Sequence, residues 1–223
     1  MAAEQPPTEL TQRGARRHPH QLPSGRHGLR RSFVASNQRD RIMAAVAPAA
    51  AELGYADMSV EAIVARAGVS RRTFYEHFKN KEDVFLAAYD AVVRQQARQI
   101  QRAYFKEKTV HDRLRAGIGA YLEFTADQPD VARMCIVEVL AAGPRAMAKR
   151  SEAMQMFAEI IEDNINQLIP GCTRAALTAE TIVGGIHEVV LSRILADRTD
   201  ELPAMADELL TAILMLDGPG KPR

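Results

Sequence analysis

Tryptophan is absent from this chain, and cysteine occurs only twice, at Cys135 and Cys172. Two isolated cysteines make neither a disulfide framework nor a metal spacing, so the disulfide-stapled secreted domains drop out. A reducing, cytoplasmic setting is expected, with a single bridge between the two left open. No apolar run approaches the roughly 20 residues of a membrane span. The arginines near the start are not followed by an apolar segment, so no secretory signal is read there. Catalytic signatures are also missing: there is no G-x-S-x-G, no phosphate loop and no H-E-x-x-H. His77, His111 and His187 are scattered without metal-ligand spacing. An enzyme, a metal site and a bound cofactor are therefore not expected.

What is present is ordinary soluble-protein chemistry. The chain has 223 residues, 47% hydrophobic and 26% charged, enough to bury a core in one domain or two small ones. The net charge of +1 conceals an asymmetry. Residues 1–80 carry 12 Lys/Arg against 7 Asp/Glu, or +5, and residues 81–223 carry 17 against 21, or −4. A basic N-terminal part favours nucleic acid as its partner.

The informative stretch runs from Met58 to Lys81, MSVEAIVARAGVSRRTFYEHFKNK. Ser59 is a good N-cap, because its hydroxyl can accept from a free N–H of the first turn. Val60, Ile63, Val64 and Ala67 then recur at helical spacing. Gly68 ends that helix, since glycine enters the left-handed C-cap conformation without a Cβ clash. Ser70 caps a second helix, Arg71 to Phe78, whose apolar face is Phe74 and Phe78. Its other face carries Arg71, Arg72, Thr73, Tyr75, His77 and Lys79. Arginine can grip a phosphate or a guanine edge with two bonds, and hydroxyls can hold phosphates. Two helices about such a turn place the second in a major groove. On residue types alone, a packed helix pair with a solvated basic face is an equal alternative.

The wording of the stretch decides between them. Gly68-Val69-Ser70, Thr73-Phe74-Tyr75-Glu76-His77-Phe78 and Lys81 closely resemble the signature of the TetR family of bacterial transcriptional regulators. The likeness extends back through Ser59-Val60-Glu61-Ala62-Ile63 and Gly54-Tyr55, and covers residues from about 36 to 86. It implies an all-α homodimer with an N-terminal three-helix helix-turn-helix unit and a C-terminal ligand-binding, dimerising bundle, about nine helices in all. Most such proteins are repressors released from DNA by a small molecule. Arg71, Arg72, Thr73 and Tyr75 are the expected contact face, with Ser70; Ser59, His77, Lys79 and Lys81 are expected at phosphates or in packing, and Arg39 and Arg41 are further phosphate candidates. Two departures stand out: no aromatic occurs near Ala50, and Val84 replaces the usual leucine.

Around this stretch the chain divides into residues 1–33, 34–82 and 83–223. The first segment, rich in Pro, Gly, Arg and His, is expected to be a disordered basic arm. It can add phosphate or minor-groove contacts, or be only a solubilising tail or a mis-chosen start. Ser36 is the expected cap of a first helix running to about Leu53, with a kink or break at 44–47 forced by Pro48. Asn80, with Asp83, caps a long helix to about Phe105, some 37 Å at about 1.5 Å per residue. By analogy with the family, this helix links the DNA unit to the rest as a rigid lever. Thr109 caps the next helix, and Pro129 and Pro144 begin two more. Helices over 178–197 and 203–216 are greasy nearly all round, and Gly184-Gly185 allows a close approach. They fit a homodimer interface, which the resemblance also implies, against the alternative of a monomeric core.

Within the bundle, Tyr121, Phe124, Met134, Met154 and Phe157 suit an adaptable apolar pocket. Arg133, Glu138 and His187 are polar residues in apolar stretches that can orient a ligand. For each, ordinary core packing is the competing reading. The expectation is a DNA-binding transcriptional regulator, a ligand-released repressor of double-stranded DNA, whose effector is small and preferably apolar or aromatic. A ligand-binding or interaction protein on the same fold, with weak or lost DNA binding, is the alternative.

Overall fold

The computed structural model describes residues 31–216; the expected basic arm lies outside them save for its last three residues. Ten α-helices and two short 3-10 turns make up the described chain, with no strand among the described residues. They are α1 (Arg31–Ala44), α2 (Val46–Asp57), α3 (Val60–Ala67), α4 (Arg71–His77), α5 (Lys81–Tyr104), α6 (Val110–Asp127), α7 (Pro129–Ile136), α8 (Pro144–Leu168), α9 (Ala175–Leu195) and α10 (Ala206–Leu216).

The local rules account for most boundaries. Ser59, Ser70, Asn80 and Thr109 each accept a bond from the backbone N–H three residues on. Gly68 takes the left-handed conformation, φ 62°, and closes α3. Asp83 completes the reciprocal cap of α5 by accepting from the Lys79 N–H at 3.0 Å. Pro129 and Pro144 stand at the starts of α7 and α8, where a missing N–H costs nothing.

Two boundaries differ from expectation, and one break falls where it was expected. Ser36 lies inside α1, which begins at Arg31, so it caps nothing. The expected first helix is two helices meeting at Ala45, which raises the total from nine to ten. Pro48, three residues on, cannot donate to the turn before it, and the chain kinks at the predicted place. Pro203 sits within a 3-10 turn, Thr199–Met205, so the last α-helix starts only at Ala206.

Two large apolar cores hold the described residues, with a smaller cluster between α8 and α9 around Ala179 and Ile182. One joins α1–α4 to the first half of α5, with Phe74, Phe85, Ile42 and Ile63 fully buried. Met134, Val139, Ala142 and Ala146 enter it from the bundle side, so the N-terminal helices are seated on α7 and α8. The other lies among α6, α7, α9 and α10, around Leu122, Val190 and Leu202. No helix among the described residues is long and apolar enough to cross a membrane.

Candidate functional site

The α3–turn–α4 unit is held by its own polar groups. Phe74 and Phe78 are buried beneath α4 at 0% and 4% exposure, fixing the helix by its apolar side. Ring contacts of Phe74 with Phe78 (5.9 Å) and with Tyr75 (5.3 Å) continue that packing. The opposite face is free: Arg71 and Arg72 have side chains 61% and 90% exposed. Tyr75 is 51% exposed, Ser70 and Lys79 are exposed, and Thr73 and His77 are half-buried beside them. Arg71 rests against Glu61 and Arg72 against Glu76, surface pairs that a phosphate or base edge can replace at little cost. The Ser70 hydroxyl accepts from the Thr73 N–H and lies 3.0 Å from the Thr73 hydroxyl. Ser59 is half-buried and accepts from Ala62 N–H.

Two basic residues expected at phosphates are occupied elsewhere. Lys81 Nζ donates to the carbonyls of Tyr55, Ala56 and Met58 at 2.9–3.0 Å, and stands 4.8 Å over the Tyr55 ring. Three acceptors exhaust an ammonium's three donors. Lys81 thus closes the end of α2, whose turn at Gly54 has φ 74°. Arg41 likewise donates to the carbonyls of Ala67 and Gly68, capping α3. Arg39 stays exposed and stacks over Phe78.

The bundle contains an apolar cavity of about 130 Å³ among α5, α6, α7, α8 and α9. Of the eight ligand candidates, Tyr121, Phe124, Met154, Phe157 and His187 line it. Arg133, Met134 and Glu138, expected among them, do not line it. The cavity face of α7 is Val131, Ala132, Cys135 and Ile136; at 100° per residue, positions 133 and 134 point away. Met134 is fully buried in the N-terminal core. Glu138 is buried at the same joint, where one carboxylate oxygen accepts from the Tyr55 N–H at 2.8 Å. Arg133 faces the other oxygen at 3.5 Å, an ion pair without a hydrogen bond. These residues tie the bundle to the N-terminal helices.

Arg150 was not anticipated, although its signal was present. It is three residues after Met147 and four before Met154, on the stripe of α8 that turns inward. Burial, and then the Arg150 charge, pushes the His187 imidazole down to about 4, so it is neutral at pH 7. Burial pushes the Cys135 thiol up to about 12 and raises the Tyr89 and Tyr121 phenols beyond their usual range. No group of three or more His, Cys, Asp and Glu side chains is placed to hold a metal among the described residues.

The architecture is thus a capped helix-turn-helix seated on a hollow α-helical bundle. Residues 42–88 match the family model of the bacterial regulatory proteins of the tetR family. A fatty acid metabolism regulator protein of Bacillus subtilis (strain 168) is 22% identical over 179 residues, covering 78% of this chain and 92% of that protein. The fatty acid degradation regulator FadR from Bacillus halodurans superposes with a TM-score of 0.73 at 21% identity, over 83% of this chain and 97% of that one. FadR from Bacillus subtilis in complex with stearoyl-CoA gives 0.72 at 23% identity, over 78% and 96%.

Proposed function

We propose that this regulator is a homodimeric repressor that leaves its operator when an apolar or acyl-type small molecule enters the bundle cavity. The observation that carries the reading is an exposed basic α4 face and an apolar cavity in one chain, joined through α7. One side of α7 lines the cavity, and its other side, with Glu138, holds the turn after α2. The stearoyl-CoA held by the Bacillus subtilis protein supports an acyl-type effector.

Arg71, Arg72, Thr73 and Tyr75 read the DNA, with Ser70, His77, Lys79 and Ser59 at neighbouring phosphates. Two copies then place their α4 helices in successive major grooves, about 34 Å apart on a near-palindromic site. The dimer forms through α9 and α10. Leu177 and Leu195 on α9 are 64% and 60% exposed. Among the described residues, no atom outside the local helix backbone would come within 4 Å of a Cβ placed at Gly184 or Gly185, which leaves room for a partner helix.

The test is an anisotropy titration on the DNA flanking the protein's own gene, at several salt concentrations, beside a scrambled control. Tight, sequence-dependent binding by two protomers, reversed by an acyl ligand, is the expected result. Equal weak binding to both DNAs, lost with salt, would refute it in favour of a ligand-binding protein with a non-specific basic surface.

A further inference from the structure

The cavity wall carries one charge, on the half-buried Arg150, and that charge has no ion-pair partner among the described residues. Arg133, Arg150 and Arg193 each have a buried Nε without a hydrogen bond. Arg133 nonetheless faces Glu138 at 3.5 Å, and Arg193 faces Glu201 at 3.4 Å. Arg150 has no carboxylate within ion-pair distance among the described residues. Its neighbour Lys149 turns outward and pairs with both Asp90 and Glu152. Acidic partners are therefore close along α8, yet none is supplied inside. A guanidinium held against apolar walls is unfavourable until a charged, hydrogen-bonding group meets it.

We propose that Arg150 anchors a monoanionic head group, so that the effector is a free carboxylate on an apolar body, bound head-in, rather than an ester or thioester. The inference rests on the cavity being the effector site and specifies what that site takes. Arg150 leaves α8 among Tyr89 of α5, Tyr121 of α6 and His187 of α9. All three are neutral at pH 7, as is Cys135, so the local charge is that of Arg150 alone. One carboxylate cancels it and can take two parallel N–H bonds. A phosphate dianion would bring a second, uncompensated charge. A thioester carbonyl would bring none, leaving the guanidinium charge unmatched.

The experiment is isothermal titration of the full-length dimer with decanoate and 4-butylbenzoate, each beside its methyl ester, and with decanoyl-CoA. Wild-type protein is expected to bind at least one free acid about tenfold or more tighter than its ester, the worth of a charge-assisted bond. Arg150→Gln should abolish that preference while leaving ester affinity within about twofold. It should also raise the melting temperature of the ligand-free protein by about 2–4 °C, the shift for about 1 kcal/mol in a chain of this size. Arg150→Met gives the same readout if the glutamine variant does not fold. Equal affinity for acid and ester, tighter binding of the thioester, an acid preference that survives Arg150→Gln, or no binding by any probe would each overturn the proposal. Operator release is measured separately. Arg150-dependent acid binding without release would refute the repressor reading and leave the anchor standing; release by the thioester without acid preference would do the reverse.

Discussion

The N-terminal helices and the bundle answer the same physical demand in opposite ways. In the head, the helix ends find side-chain partners nearby. Ser59, Ser70 and Asn80 satisfy helix N-termini, and Arg41 and Lys81 satisfy the ends of α3 and α2. In the bundle, Arg150 and His187 face an apolar cavity, and the buried Nε of Arg150 has no partner. A surface that must match a rigid duplex gains from satisfied caps and a packed aromatic underside, because lost rigidity would cost binding entropy. A cavity that must admit a ligand keeps interactions unmade until that ligand arrives, and those unmade interactions are the free energy available for switching. Glu138 stands between the two, taking its position from the bundle and its hydrogen bond from the head.

The sharpest way to separate the regions is to strip the reading face alone. Arg71→Ala with Arg72→Ala should remove roughly 2–6 kcal/mol of operator affinity, about 1–3 per lost arginine contact. Dimer mass and melting temperature should stay unchanged; retained affinity in the anisotropy assay would mean α4 is not the reading helix. Glu138→Ala tests the joint. It leaves the buried Tyr55 N–H without its acceptor and should cost about 1–3 kcal/mol in denaturant unfolding, while Glu138→Gln, which keeps an acceptor, should recover most of it. Full stability in Glu138→Ala would show that the joint holds without this bond.

A finer distinction concerns Lys81. Lys81→Met should lower stability by about 1–2 kcal/mol through three lost carbonyl contacts, with no change in the slope of log affinity against log salt. A slope shallower by about one would show a phosphate contact instead. The smallest effect is in the cavity. His187 has its pKa depressed from 6.5 to about 4, so between those values the unfolded chain binds a proton that the folded chain does not. Stability is therefore present above pH 6.5 and is lost as pH falls toward 4. With solvent screening at the partly open cavity allowed for, the loss is on the order of 1 kcal/mol. His187→Gln should remove that part of the pH dependence; an unchanged profile would place the titration elsewhere.

How far this could be read in advance follows from the range of each interaction. Caps act over three or four residues, so Ser59, Gly68, Ser70 and Asn80 declared their helices in the linear text. Pro48 likewise announced its kink, because its missing N–H acts on the preceding turn. Ser36 misled because a serine can cap a helix or ride within one, and only the chain upstream decides. Lys81, expected at a phosphate or in packing, and Arg41, expected at a phosphate, could not be placed from their neighbours in sequence. A cation beside a DNA motif reads as a phosphate ligand, but the carbonyls that hold these two lie 23 to 27 residues away in sequence.

By itself, then, the order of residues determined the all-α class, the helix-turn-helix, the exposed basic face and the apolar stripes, since each rests on periodicity and capping within a few turns. Only the tertiary structure decided which side of α7 meets the cavity, sending Met134 and Glu138 to the head and Cys135 to the pocket. It also decided that Arg150, one charge on an otherwise inward stripe, would end among apolar walls without an acid to meet it. The reason is that burial and charge pairing depend on neighbours distant in sequence, which helical spacing does not encode.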